Sequence, residues 1–369
     1  MSRWERVRLG DVCEKGSSGI AQKDLDGNEG PYPIYGASGL IKHVDFYRQD
    51  RPYIAVVKDG SVGTTMLLPP KSSVISTVQY IYPSKDVDIV YLYYALTHMK
   101  LGRFRTGAVI PHIYFRDYRN ELLPLPPLET QRAIAAALDQ AAALLALRRR
   151  QIAKLELLVQ AKFVELFGDP VRNEMGWETV RLDDVYTVKS SKRVYQSELT
   201  LSGIPFFRVS NLVQKINGAH VDADLFISEK QFVAFTAKGL VPIAGDILIT
   251  TRGTLGLCYI VKEDDAFYFQ DGMISWLAEQ ENKIDPLYTS HLFDTECIRT
   301  QIEKTSDGST VNYLSLNSLR ALQIPLPPLP LQQQFAAFVS QAEAQKQTLK
   351  QAQDKLQLQY DAMMQNYFG

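Results

Sequence analysis

The chain has 369 residues, 46% hydrophobic and 22% charged, with a formal net charge of −1. That balance suits a globular protein of two domains. With no apolar signal core at the N-terminus and no run near the ~18 apolar residues of a membrane span, it predicts a cytoplasmic chain with no membrane segment. Near-neutrality also excludes the large basic excess with which an autonomous DNA binder neutralises phosphates. Cys13, Cys258 and Cys297 are scattered, without a CxxC pair, and so predict neither a disulfide framework nor a zinc site.

The first globular segment, residues 1–123, opens with Trp4-Glu5-Arg6-Val7-Arg8-Leu9-Gly10-Asp11-Val12. From Tyr53 to Tyr82 the pattern alternates like strands, with Gly60-Ser61-Val62-Gly63 at the turn. A helical stretch follows from Asp88 to Leu101, with the aspartate placed to cap it, and Gly107 marks the next turn. In residues 124–168 the run PLPPL cannot lie inside a helix, because each proline fixes φ and removes a donor. From Glu129 to Phe167 there is no Pro or Gly, and good helix formers dominate. Such a helix is on the order of 57 Å long at ~1.5 Å per residue.

The second globular segment, residues 169–323, repeats the opening phrase as Trp177-Glu178-Thr179-Val180-Arg181-Leu182-Asp183-Asp184-Val185, 173 residues later. It has its own hairpin turn at Gly253-Thr254-Leu255-Gly256, a helical stretch from Asp285 to Lys304, and a Gly turn at Gly308. Residues 324–369 then repeat residues 124–168 without a gap at an offset of 201. PLPPL matches PLPPL, Gln131 matches Gln332, and Phe167-Gly168 matches Phe368-Gly369. The two offsets differ by 28, so the second domain is longer by that amount. A gap-free repeat means one structural unit built twice. The predicted fold class is α+β: two α/β domains separated by two long helices.

Apolar positions on the first helix step by four and three at Ile134, Leu138, Ala141, Leu145, Ile152, Leu155, Val159 and Leu166. On the second they fall at Phe335, Val339, Ala342, Leu349, Leu356, Tyr360, Met363 and Tyr367. This is a coiled-coil seam. Two copies of one unit relate by a pseudo-two-fold axis, as in a homodimer, so the pair should be antiparallel. The same symmetry predicts that Gly369 lies near Trp4, because Gly168 precedes Trp177 by only nine residues.

No catalytic motif accompanies this scaffold. There is no [DN]PP[FYW] loop, no FxGxG turn and no GxxxxGK[ST] phosphate loop, and the five histidines have no metal-binding spacing. Basic groups interleaved with aromatics and small polar residues are the better lead. In the first domain these are Lys58, Lys100, Arg103 and Arg105. In the second they are Lys189, Ser190, Ser191, Lys192, Arg193, Arg208, Asn211 and Arg252. Such side chains hold phosphates and read base edges. Residues 1–123 carry 16 basic and 13 acidic groups, residues 169–323 carry 15 and 21. Any DNA contact would therefore depend on a more basic partner.

The domain openings, GDILITTRGTLG at Gly245–Gly256, GSTVNYLSLNSLRALQIPLPPLPLQQQ from Gly308, and the LPPLETQRAI helix start resemble the specificity subunits of type I restriction–modification systems. The resemblance covers the whole chain. It implies two target-recognition domains, each reading one half of a bipartite, asymmetric site on double-stranded DNA. It implies that the helices are spacers that set the half-site separation and dock two modification subunits. Those subunits carry S-adenosylmethionine and methylate adenine N6, so no cofactor is expected in this chain. A motor–nuclease restriction subunit would join for restriction. The competing readings are a catalytic nuclease or methyltransferase chain and a coiled-coil scaffold with no DNA role.

Overall fold

A computed structural model describes residues 4–107, 111–279, 282–306 and 313–369; the expected turn at Gly308 lies outside them. The chain divides into two compact units, Met1–Gln151 with Leu349–Gly369, and Ile152–Thr348. Both long helices, Leu128–Phe167 and Leu329–Phe368, pass from one unit into the other.

In the first unit the opening phrase forms the strand Arg6–Arg8, which pairs antiparallel with Leu122–Pro124 just before the first helix. Pro124, Pro126 and Pro127 have a fixed φ and no N–H, so the chain arrives extended and the helix begins only at Leu128. The domain carries a four-stranded antiparallel sheet in the order Cys13–Ser17, Val78–Pro83, Tyr53–Val57, Thr65–Leu68. A second sheet has Tyr32–Gly36 at its centre, antiparallel to Gly39–Val44 and parallel to Ser73–Val74. Tyr53–Val57 is not a half-exposed alternating strand, because all five residues are buried. Ile54 and Val56 face one apolar cluster, while Tyr53, Ala55 and Val57 face another. Gly60 and Gly63 adopt φ of 84° and 86° in the turn that follows, a region glycine occupies without steric cost.

The second unit repeats this plan element by element. Thr179–Arg181 pairs with Gln323–Pro325. The four-stranded sheet runs Tyr186–Ser190, Ile274–Glu279, Ile247–Thr250, Cys258–Ile260. The three-stranded sheet again has a parallel pair, Ile204–Phe207 with Tyr268–Phe269. Most of the extra length lies between Ile204–Phe207 and Ile247–Thr250, where the helices Val209–Ile216 and Glu229–Thr236 are inserted. The stretch predicted as one helix from Asp285 to Lys304 is two helices, Pro286–Phe293 and Glu296–Ser306. The break falls at Asp294-Thr295, where both backbone N–H groups turn back to His291 and Leu292 and the Thr295 hydroxyl donates to the Leu292 carbonyl. Asp88 and Asp285 cap the helices that they precede, each accepting two backbone N–H bonds.

Each unit contains an antiparallel stretch of the helix pair. In the second, Phe163 and Phe167 lie 5.4 and 5.5 Å from Phe335, and Lys346 meets Glu156 at 2.9 Å. In the first, Ile134, Ala135 and Leu138 share a cluster with Met364 and Phe368. At the N-terminal ends the predicted seam lies inward: Ile134, Leu138, Leu145, Phe335 and Val339 are buried. Ile152, Leu155, Leu349, Leu356 and Tyr360 are half-buried. At the C-terminal ends the inward face slips by one residue. Phe163, Phe167, Met364 and Phe368 are buried, whereas Leu166, Met363 and Tyr367 are only partly covered. A straight α-helix drifts ~20° per heptad from a 3.5-residue repeat, and the last turns here pack into a domain core rather than along a seam.

That docking is made the same way twice. Tyr91 packs 5.1 Å from Phe368 and donates its hydroxyl to the Pro124 carbonyl; Tyr288 packs 4.7 Å from Phe167 and donates to the Pro325 carbonyl. Gln131 and Gln332 are fully buried. Gln131 accepts from the Asp88 N–H and donates to the Asp86 and Pro126 carbonyls. Gln332 accepts from the Asp285 N–H and donates to the Pro327 carbonyl. One carboxamide thus ties the PLPPL turn, the capped helix and the long helix together. As the repeat predicts, the end of the second long helix lies beside the opening strand: Arg6 Nη2 donates to the carbonyls of Phe368 and Gly369 at 3.2 and 2.5 Å.

Candidate nucleic-acid interface

In the first domain a cleft of about 450 Å³ opens at one end of the four-stranded sheet. Lys15 and Ser17 come from the first strand, Lys58 follows the central strand, and Tyr114, Phe115, Arg116 and Arg119 come from the short helix Phe115–Tyr118 and its cap. Four cations and two aromatic rings thus line one concave surface, with no acidic side chain in its wall. Lys15, Arg116 and Arg119 are exposed, so their charges face solvent and can meet phosphate, although Arg116 also lies 3.5 Å from Asp117 and 4.7 Å over the Tyr114 ring. Lys58 is tied to Asp59 at 2.6 Å, and Asp59 also meets His112 Nδ1 at 2.6 Å. Burial alone would raise the Asp59 carboxyl, but hydrogen bonds from Lys58 and His112 hold it below the usual range.

Of the four first-domain candidates, only Lys58 lines this cleft. Lys100 and Arg103 line a different cavity beside Phe368 and Gly369. Lys100 takes a left-handed φ of 49°, and Arg103 pairs with Glu121 while its guanidinium lies 4.8 Å over Phe104. Arg105 stands beside the Gly60-Ser61-Val62 turn. Reading charged runs along the sequence missed Lys15, Arg116 and Arg119. The signal that could have found them is Tyr114-Phe115-Arg116-Asp117-Tyr118-Arg119, which alternates rings and guanidiniums.

In the second domain the structure gathers Ser190, Ser191, Lys192 and Arg193 against Phe269-Gln270-Asp271-Gly272. Ser190 accepts from the Gly272 N–H, and Arg193 pairs with Asp271 at 2.9 Å. Ser191 is 8% exposed and donates to the Phe269 carbonyl, so its hydroxyl is used inside the fold. Asn211, 4% exposed, accepts from the Arg208 N–H at its helix start and donates to the Asp222 carbonyl. Both are framework groups rather than surface contacts, because each is buried and already bonded to backbone inside the fold. Lys189 lies 3.5 Å over the Trp276 ring, and burial lowers its ammonium below the ordinary lysine range. The Lys192 ammonium sits 5.3 Å from the Phe235 ring. Arg208 donates through Nη2 to both carboxylate oxygens of Asp224, and Arg252 stacks 5.0 Å over Tyr313. Second-domain cations are therefore largely held by their own acids and rings, in keeping with that segment's acidic excess.

Known proteins place this arrangement. The family model described as type I restriction modification DNA specificity domain matches residues 1–157 and again residues 174–359. The type I restriction enzyme MjaVIII specificity subunit of Methanocaldococcus jannaschii is 27% identical over 367 residues, covering 90% of this chain and 84% of that protein. The crystal structure of a type I restriction–modification S subunit from M. genitalium shares the fold with a TM-score of 0.67 at 18% identity, over 100% of this chain and 96% of that one. A chain from a structure of type I system assembly and conformational transition aligns at a TM-score of 0.55 and 19% identity, covering 99% and 97%. With that domain matched once on each half of the internal repeat, the chain belongs to the type I restriction–modification DNA specificity family.

Proposed function

We propose that this chain is the DNA-reading subunit of a type I restriction–modification complex, with each domain reading one half of a bipartite, asymmetric site. The observation that carries this is the repeat itself. The two domains share sheets, capped helices and glutamine ties, yet differ in the loops and inserted helices at the ends of those sheets. Shared frame with divergent loops is how two different sequences are read from one plan. In the first domain Lys15, Lys58, Arg116 and Arg119 hold phosphates in the cleft, while Lys100, Arg103 and Arg105 lie outside it. In the second, Lys189, Ser190, Lys192, Arg193, Arg208 and Arg252 are the exposed or half-exposed contacts. The long helices dock the two modification subunits, which supply S-adenosylmethionine and adenine N6 methylation, and a restriction subunit joins for cleavage. This chain contributes recognition and no catalytic group. Among its described residues no helix is long and apolar enough to cross a membrane.

Exchanging residues 1–123 for the equivalent domain of another family member tests this. Methylation mapping of the assembled complex should show one half of the modified sequence replaced and the other half kept. Loss or change of both halves together would refute separate readers.

A further inference from the structure

A second cavity adjoins the basic cleft of the first domain, and Ser17 lines both. It measures about 590 Å³, and its wall includes Phe46, Arg48, Gln49 and Tyr80 together with one acid, Asp24, whose carboxylate accepts from the Ala21 N–H. Gln49 is only 3% exposed, and its backbone is fixed by reciprocal hydrogen bonds with Ser72. Its Oε1 is buried and has no hydrogen-bond partner among the described residues. A buried amide acceptor left unpaired costs about 1–3 kcal/mol, and native proteins rarely leave one so. Gln49 also lines the cavity, so a rotation of its carboxamide would present this acceptor to a partner entering there.

The walls indicate what kind of partner. Tyr80 lies across Gly16 on the neighbouring strand, where any Cβ would fall 2.0 Å from its ring. Phe46 supplies a second ring, with the Arg48 guanidinium 5.4 Å from its centre. Two rings, a carboxamide and a guanidinium at the mouth suit a flat heterocycle with hydrogen-bonding edges that is attached to a phosphate. The cavity is also particular to this domain: where the first domain has the Gln49 loop, the second has the helix Glu229–Thr236.

Resting on the DNA-reading function above, we propose that this cavity accepts a nucleobase turned out of the stack in the first half-site, with the Gln49 carboxamide as the edge that selects it. Glutamine pairs with the adenine N6/N7 edge and discriminates against other bases, and extrusion is the route by which proteins bring a base into a pocket. Phosphates flanking that nucleotide lie in the adjoining cleft of Lys15, Arg116 and Arg119.

The test is methylation mapping with the complete complex carrying Gln49→Leu, which keeps size and folding, and Gln49→Glu, which keeps the acceptor and removes the donor pair. The expected result is a loss of preference on the order of 10- to 100-fold at one position of the first half-site. Gln49→Glu should shift that preference rather than abolish it, and the second half-site should be unaltered. An unchanged target with either variant, or a change spread over both half-sites, overturns the proposal. Thermal stabilisation of the wild-type complex by deoxyadenosine monophosphate, absent in Gln49→Leu while the target stays unchanged, would keep the base pocket but assign it to a free nucleotide and overturn the reading role. A wild-type complex with no bipartite target would instead defeat the function on which the proposal rests.

Discussion

Where each domain grips the long helices, the two units are near copies. Gln131 and Gln332 tie the same turn, Tyr91 and Tyr288 bond the same proline carbonyl, and Phe368 and Phe167 fill the same place against them. Where each domain faces outward from its sheet ends they diverge: a cleft with four cations in its wall in one, and two inserted helices with cations paired to Asp271 and Asp224 in the other. The difference separates two demands. A buried polar tie tolerates little change, because altering one partner strands the others. Exposed loops can vary at little cost to stability, so they are free to carry distinct sequence readings.

The comparison breaks most sharply at the glutamines. Gln131→Leu should strand the Asp88 N–H and two carbonyls, at about 1–3 kcal/mol for each group left buried and unpaired. Hydrogen exchange should show protection lost in Ile89–His98 and Leu122–Pro124, while Pro286–Phe293 and Gln323–Pro325 stay protected. Gln332→Leu should give the mirror result. Equal loss in both units from either variant would show that the two grips are one cooperative element.

The surfaces should differ in salt dependence. Replacing Lys15, Arg116 and Arg119 with alanine should lower the slope of log affinity against log salt by roughly 2 to 3 for the assembled complex, at ~0.9 per lost phosphate contact. Replacing Arg193, Arg208 and Arg252 should lower it by less, because Asp271 and Asp224 neutralise two of them at 2.9 and 2.5 Å, whereas in the first set only Arg116 has an acid nearby among the described residues, Asp117 at 3.5 Å. Equal slopes would erase the distinction drawn between the two surfaces.

The smallest effect concerns acid. Burial lowers the His291 imidazole below its ordinary range, against the opposing charges of Asp294 and Glu343. The folded second unit therefore stays neutral there while the unfolded chain takes up a proton near pH 6.5, so stability is full above that pH and falls below it. Asp294 and Asp285, both raised by burial, oppose the trend as pH drops further. His291→Phe should flatten the melting profile of the second unit between pH 6.5 and 5.5. The first unit should keep its own dependence through His98, which burial and Lys100 also lower. No change in the profile would mean that His291 does not stay neutral in the fold.

Sequence alone determined the duplicated plan, the antiparallel helix pair and the approach of Gly369 to the opening strand. These rest on periodicity, on proline and glycine chemistry and on repeat offsets, all of which are local or strictly periodic. It determined the turns at Gly60–Gly63 and Gly253–Gly256 and the capping aspartates for the same reason. Only the tertiary structure decided which face the last helix turns bury, since Phe163 and Met364 answer to a domain core far away in sequence. It alone showed that Ser191 and Asn211 are used up internally. It also assembled the basic cleft: Lys15, Lys58 and Arg116 are separated by tens of residues and meet only because strand pairing brings Ser17 opposite Gln79 beside the end of Tyr53–Val57. A binding surface is a sum over distant loops, and no period in the sequence records which loops a sheet will bring to one end.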